Sequence, residues 1–279
     1  MSPAEAARLS IAVSLRQLQA SADGVLATDD PECVHQLHAE LRRLRAMLRD
    51  FRKALGPGLE SLAVPDLAWI AKRAGDVRDL DVLALETLPA LAEPNAKGSR
   101  SFEARVARQR REARRRLRAA LRSRRQAALM STLSRERDAN DNRPPPRPAS
   151  LRKFAAKALR RRLRRVRAVA GDDVATLDAA GRHRLRIAAR KMRQAAERFG
   201  PLWSAHAARS FVERLATLQD TLGAANDIAV GMRLLAALDA PAALMALAHE
   251  RLVDEEAKGA RHLRAQVAAL EKAPRFWKR

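Results

Sequence analysis

The stretch VHQLHAELRRLRAMLRDF, residues 34–51, decides the fold class because its apolar and cationic residues separate at helical spacing. At about 100° per residue, the large apolar side chains share one face: Leu37, Leu41, Leu44, Leu48 and Phe51. The opposite face carries a set of cations that we call the first stripe: His35, His38, Arg42, Arg45 and Arg49. The pattern predicts a helix that packs on a core and presents positive charge.

The first stripe is unusual because it groups like charges. Solvent-exposed helix faces ordinarily mix acids with bases, since like charges three or four residues apart repel each other by a few tenths of a kcal/mol. We therefore expect an anion outside the helix to relieve the repulsion.

The stretch recurs in the second half of the chain. RHRLRIAARKMRQAAERF, residues 182–199, aligns with it without a gap, and His183 lies 148 residues after His35. The same offset relates Gly75 to Gly223 and Asp79 to Asp227, which predicts an internal duplication. We call the repeated cations the second stripe: His183, Arg186, Arg190 and Arg193.

The fold class follows from the rest of the chain, where apolar residues recur at spacings of three and four and no alternating β-branched run is found. The sequence predicts an all-α protein of about eight helices. Breaks are expected where Gly, Pro, Asp and Asn cluster: 27–31, 56–65, 94–98, 137–150, 171–178, 200–201 and 239–241.

One break has the composition of a linker. RDANDNRPPPRPAS, residues 137–150, contains three consecutive prolines that cannot continue a helix. We place the boundary between a first half, residues 1–136, and a second half, residues 151–279, at this segment.

The charge balance predicts a polyanionic partner. The chain has 55 Lys and Arg against 32 Asp and Glu, a net charge of +23. Nucleic acid, an anionic membrane and an inorganic phosphate polymer all fit this charge.

Compartment signals predict a cytoplasmic protein. Cys33 is the only cysteine, which favours a reducing environment. No secretory signal is evident at the N-terminus. The most apolar segment, residues 234–248, contains Asp239 and Pro241 and is shorter than the ~20 residues of a membrane span.

Two paired motifs resemble the CHAD family, the conserved histidine α-helical domain. H-x-x-R-x-x-x-R-K-x-R, from His183 to Arg193, pairs with LQDTLGAANDIAV, residues 218–230. H-x-x-H-x-x-x-R-R-x-R, from His35 to Arg45, pairs with AGDVRDLDV, residues 74–82. The resemblance covers nearly the whole chain. It departs at His38, where the family usually has Arg.

The resemblance implies a fold and a function. It implies two four-helix bundles related by a pseudo-twofold axis, with a basic groove or channel between them that binds inorganic polyphosphate, and association with polyphosphate granules. It also implies the phosphate-binding residues, which are His35, Arg42, Arg43 and Arg45, and in the second half His183, Arg186, Arg190, Lys191 and Arg193.

The residue types suit such a polymer. Arg offers a planar fork of donors to phosphate oxygens. Aromatic residues make up 3% of the chain and Tyr is absent, which argues against the base stacking that single-strand nucleic-acid binders use. Further exposed cations are expected on one face of the helix after the linker, where they would widen the groove: Lys153, Lys157, Arg160 and Arg164.

Several alternatives stay open at this point. Nucleoid or RNA binding would use the same charge. A phosphohydrolase is disfavoured because no phosphate-cradling loop and no dense carboxylate cluster is found, so we expect neither catalysis nor a cofactor or metal. His35 and His183 could instead hydrogen-bond a neighbouring helix. Asp79 and Asp227 are expected to cap following helices or hold a stripe arginine, or alternatively to bind a bridging cation.

Overall fold

The computed structural model describes residues 1–55, 58–91, 99–139 and 150–278. These residues form helices joined by short turns, and no strand occurs among them, so the predicted all-α class is confirmed. The expected break at 94–98 and most of the Pro-rich linker lie outside the described residues.

The chain divides into two compact units. The first comprises Met1–Ala149 with Arg233–Leu244, and the second comprises Ser150–Met232 with Met245–Arg279. The main boundary falls at the end of the Pro-rich segment. The short insertion Arg233–Leu244 is tied to the first unit in part by Arg105, whose Nη2 donates to the Asp239 carbonyl over 3.2 Å.

Helices of the first unit follow the apolar pattern. They are α1 (Pro3–Ala27), α2 (Pro31–Phe51), α3 (Leu59–Val82), α4 (Leu88–Leu91), α5 (Ser99–Leu121) and α6 (Arg124–Asp138). A π-helical turn, Leu83–Thr87, joins α3 to α4 without a break. The helix α6 continues two residues beyond the predicted end of the first half.

Two details of the first unit differ from the sequence interpretation. The helix α3 begins at Leu59, so Pro65 lies inside a helix rather than in a break. This proline forgoes one backbone hydrogen bond, while Leu67 and Ile70 on the same helix are fully buried and hold it in place. No break is predicted near Ser123, yet the helical run is divided there, because the Ser123 hydroxyl accepts the Gln126 amide and starts α6.

The second unit consists of α7 (Leu151–Ala170), α8 (Ala179–Phe199), α9 (Ala205–Ala237) and α10 (Ala242–Lys272), and the last residues of α9 and the first of α10 belong to the insertion. Gly171 ends α7, and a 3-10 turn beginning at Gly200 follows α8, both at predicted breaks. Asp239, with φ of 53°, lies in the predicted break between α9 and α10.

The C-terminal aromatic residues belong to the core of the second unit. The rings of Phe276 and Trp277 are 4.8 Å apart, and both contact Phe211 of α9 edge-on. Phe276 and Trp277 are 5% and 3% exposed. These side chains are therefore used for internal packing.

Candidate functional site

The first stripe lies on α2, which the sequence forms for local reasons. The Asp30 carboxylate caps α2 by accepting the Glu32 amide over 2.9 Å, and Pro31 occupies the first helical position, where its missing N–H costs nothing. The predicted apolar face is buried, from Leu37 at 0% to Phe51 at 1% exposed. The stripe is consequently turned away from the core. His35 is exposed, and the other four stripe residues are half-buried.

One end of the first stripe is bordered by α3. Arg78 Nε donates to His35 Nδ1 over 3.4 Å, and Arg78 Nη1 lies 3.7 Å from a carboxylate oxygen of Asp79. Gly75, one turn before Arg78, faces the His38 ring, whose Nε2 would lie 3.6 Å from a Cβ placed on that glycine. The α3 segment AGDVRDLDV thus adjoins the stripe.

Arg45 has an unfavourable environment in the first stripe. Its Nε is buried and has no hydrogen-bond partner among the described residues. Burial lowers the pKa of the Arg45 guanidinium from its usual range, and the neighbouring charge of Arg49 lowers it further. An anion at this position would supply the missing acceptor and offset the repulsion.

Arg43, which the family resemblance places in the site, has an internal partner. Its Nη2 lies 2.6 Å from a carboxylate oxygen of Glu40, on the preceding turn. The Glu40 side chain is 12% exposed and that of Arg43 is 54% exposed. Arg43 is therefore partly neutralised.

The second stripe lies on α8, which matches α2 in length and position. Both helices have 21 residues, and α8 begins and ends 148 residues after α2. Asp178, at the same offset from Asp30, caps α8 by accepting the Gly181 amide over 2.6 Å. Leu185, Met192 and Phe199 are buried behind the stripe as predicted. Arg186, Arg190, Lys191 and Arg193 are half-buried.

The histidine of the second stripe has an equivalent contact. His183 Nδ1 lies 3.1 Å from Asn226 Oδ1 on α9, and Asn226 Nδ2 donates to Asp227 over 3.2 Å. Asn226 follows Arg78 by the repeat offset of 148. Both histidines thus hydrogen-bond a neighbouring helix, one of the two roles anticipated for them, and phosphate contact stays a prediction.

Arg193 differs from its counterpart Arg45. Its Nε donates to Glu197 Oε1 over 2.8 Å, one turn along α8. By the repeat offset, Glu197 of the second half corresponds to Arg49 of the first. An acid therefore stands in the second stripe where the first has a base.

The cations predicted on α7 are all exposed, as expected: Lys153, Lys157, Arg160 and Arg164. The helix carries no Asp or Glu and packs against α8 within the second unit. Their participation in one site with the second stripe stays a prediction.

The family assignment rests on a sequence model. The model for the CHAD domain matches residues 10–236 of the chain. The chain belongs to the CHAD family. The resemblance drawn from the paired motifs is thereby confirmed.

Solved structures agree with this assignment. The crystal structure of the CHAD domain from the plant Ricinus communis is similar over 99% of this CHAD chain and 94% of its own, with 29% identity and a TM-score of 0.78. PptA from Streptomyces chartreusis is similar over 98% of this chain and 99% of its own, with 18% identity and a TM-score of 0.65, which shows a shared fold. No curated protein matches the sequence.

One interpretation of the CHAD motifs is wrong. Asp79 and Asp227 lie inside α3 and α9, so neither caps a following helix. The apolar runs that follow them continue the same helix instead of restarting one. A capping role requires a helix start, which these positions do not have.

Three residues of this CHAD domain adjoin the stripes and were missed by the sequence interpretation. Arg78 and Asn226 each lie 43 residues after a stripe histidine, and Glu197 lies four residues after Arg193. For Arg78 and Asn226, the signal in the sequence was their equal spacing from the two stripe histidines. For Glu197 the signal was the spacing of i and i+4 on one helix.

The described residues also bear on two other types of site. They contain no group of three or more His, Cys, Asp or Glu arranged to hold a metal ion. None of their helices has both the length and the apolar content that crossing a bilayer requires.

Proposed function

We propose that this CHAD domain binds inorganic polyphosphate through the two stripes, without hydrolysing it. The observation that carries the proposal is Arg45, a half-buried guanidinium whose Nε lacks an acceptor among the described residues and whose pKa is lowered by burial and by Arg49. A protein retains such an arrangement at a cost in stability. A bound anion offsets that cost.

The spacing of the stripes suits a polymer of repeating charges. His35 to Arg49 spans fourteen residues of α2, or about 21 Å at 1.5 Å per residue. The cations along this length recur every three or four residues, or about 4.5–6 Å, so an extended polyanion that lies along the helix meets a cation at each turn. Phosphate offers no base edges to read, and the stripes need none.

The residues proposed to contact the polymer follow the family motif and the helical faces. They are His35, His38, Arg42, Arg43, Arg45 and Arg49 on α2, His183, Arg186, Arg190, Lys191 and Arg193 on α8, and Lys153, Lys157, Arg160 and Arg164 on α7. We infer that Arg43 contributes less than Arg45, because Glu40 already holds it. A basic groove or channel shared by the two halves is part of the same proposal.

Nucleic-acid binding is the second candidate function. It is favoured by the exposed cationic face of α7 and by the net charge of +23. Contacts to a phosphodiester backbone would give a steep dependence of affinity on salt. The low aromatic content favours polyphosphate over single strands.

The test is isothermal titration with polyphosphate of defined length at physiological salt. The variant Arg42→Ala/Arg45→Ala/Arg190→Ala/Arg193→Ala removes two cations from each stripe. A control variant with the same charge change replaces four exposed arginines on α1, α6 and α10: Arg16, Arg124, Arg251 and Arg261. We expect tight binding by the wild type and the control, and loss of binding by the stripe variant.

Duplex DNA serves as the competitor in the same titration. Displacement of polyphosphate by DNA at equal phosphate concentration would favour the nucleic-acid function. Equal losses in the stripe and control variants would mean that charge alone, and not the stripes, determines binding.

The absence of catalysis and the place of action are tested separately. Release of orthophosphate from polyphosphate with Mg²⁺ or Mn²⁺ would overturn the non-enzymatic part of the proposal. We propose a cytoplasmic location at polyphosphate granules, where other granule components would be neighbours. A fluorescent fusion that stays diffuse in cells rich in granules would contradict it.

A further inference from the structure

The two stripes differ at the position one turn after Arg45 and Arg193. Arg45 has Arg49 one turn later, and the pair repels, which contributes to the lowered pKa of Arg45. Arg193 has Glu197 one turn later, and Arg193 Nε donates to its carboxylate over 2.8 Å. The side chains of Arg193 and Glu197 are 35% and 43% exposed, so both can be reached from solvent.

A carboxylate bound to a guanidinium occupies donors that phosphate would use. Both ligands are oxygen anions, and both bind the same N–H fork. Phosphate must therefore displace Glu197 before it contacts Arg193 Nε, whereas no acceptor among the described residues occupies Arg45 Nε.

We propose that Glu197 is an internal competitor for phosphate, which makes the second stripe the weaker of two unequal phosphate sites. The inference rests on the proposed function and specifies its regulation at one position. An exposed ion pair of this kind is weak. The carboxylate thus lowers affinity by a modest factor and does not close the site.

The unequal affinities have a consequence for a polymer. A phosphate segment on the second stripe exchanges more rapidly than one on the first, since Arg193 returns to Glu197 when phosphate leaves.

The test isolates each stripe with a short probe. Tripolyphosphate is used because the span from His183 to Arg193, about 15 Å, accommodates a short oligomer on one stripe. Arg42→Ala/Arg45→Ala leaves only the second stripe intact, and Arg190→Ala/Arg193→Ala leaves only the first. Glu197→Gln is introduced into each background, and affinity is measured by isothermal titration.

With only the second stripe intact, we expect Glu197→Gln to tighten tripolyphosphate binding about two- to fivefold. With only the first stripe intact, we expect no change. Asp254→Asn is the charge control, because Asp254 pairs with Lys258 on α10 over 2.7 Å and lies outside the stripes. It should leave both affinities unchanged.

The opposite substitution tests the first stripe. Arg49→Glu, compared with Arg49→Gln in the background that keeps only the first stripe, places a carboxylate one turn after Arg45. We expect binding two- to fivefold weaker for Arg49→Glu than for Arg49→Gln. This variant keeps the inference testable if Glu197→Gln alters folding.

The outcomes separate the two proposals. Wild-type protein that binds polyphosphate, with Glu197→Gln no different from Asp254→Asn, would overturn the inference and leave the proposed function standing. Equal tightening in both backgrounds would also overturn it, since the effect would then be general charge. Wild-type protein that fails to bind polyphosphate would overturn the proposed function itself, and the inference with it.

Discussion

Arg78 donates a hydrogen bond from Nε to His35 Nδ1 over 3.4 Å, and His35 therefore accepts at this nitrogen. At the equivalent position, Asn226 turns its Nδ2 to Asp227 and its Oδ1 to His183, 3.1 Å from Nδ1. His183 therefore donates. The same contact therefore has opposite directions in the two units.

The charge of Arg45 should lower the stability of the ligand-free protein and strengthen its binding of polyphosphate. Its pKa is lowered by burial and then by Arg49, so the folded protein disfavours its charged form relative to the unfolded chain. Arg45→Met keeps the length of the side chain and removes the charge. We expect the ligand-free variant to unfold at a higher temperature than the wild type and to bind polyphosphate less tightly.

The control for Arg45→Met is Arg43→Met. Arg43 is held by Glu40, so this substitution should lower the melting temperature slightly and weaken binding less. A lower melting temperature for Arg45→Met in the absence of ligand would show that the charge of Arg45 is not a source of strain.

The sequence predicted those parts of the structure that depend on one helix at a time. The buried face from Leu37 to Phe51 and the opposed stripe follow from helical geometry alone, and the structure has both. The division at Ser123 was missed, because the basic residues on both sides continue the helical pattern. The hydrogen bond that caps α6 at Ser123 starts a new helix there, although the helical spacing of the residues continues across this position.

Contacts between helices were harder to predict from the sequence. Asp81, in the quoted motif AGDVRDLDV, reads as one more surface acid, yet it is 4% exposed. Its burial depends on how α3 packs against α5, which supplies its arginine partners. The residue pattern of one helix does not determine which of its residues will face a helix that is distant in the sequence.

Asp81 should be important for stability. Its Oδ1 accepts Arg110 Nε over 2.9 Å, and its Oδ2 accepts Arg114 Nη2 over 3.0 Å. The Asp81 and Arg114 side chains are 5% and 9% exposed. Asp81→Asn leaves the buried Arg114 with only the exposed Asp29, 3.7 Å from its Nη1, as a countercharge. Breaking a buried pair in this way costs about 3–5 kcal/mol.

Urea unfolding followed by circular dichroism measures this effect. Asp76→Asn is the matched control on the same helix, because Asp76 pairs with Lys72 over 3.1 Å and both side chains are more than half exposed. We expect a loss below about 1 kcal/mol for the control. Equal losses for the two variants would mean that the buried arginines find other partners.

Replacement by alanine should have opposite effects on stability at two helical glycines, Gly24 and Gly223. A Cβ on Gly24 would lie 2.9 Å from Cys33 Sγ and 3.4 Å from Cys33 Cβ, so either the Cys33 side chain would have to rotate or α1 and α2 would have to separate. Overpacking of this kind costs about 1–3 kcal/mol. A Cβ on Gly223 meets none of the described atoms within 4 Å, and alanine gains up to about 1 kcal/mol in a helix interior.

The cause of the Gly24 effect can be isolated with its neighbour. Cys33→Ala removes the sulfur, so Gly24→Ala should cost less in the Cys33→Ala background than in the wild type. Thermal and urea unfolding of the four members of this cycle measure the coupling between the two sites. An equal cost in both backgrounds would attribute the loss to another contact of α1. Since the Cys33 thiol is the atom nearest to the added Cβ, the coupling should account for most of the loss.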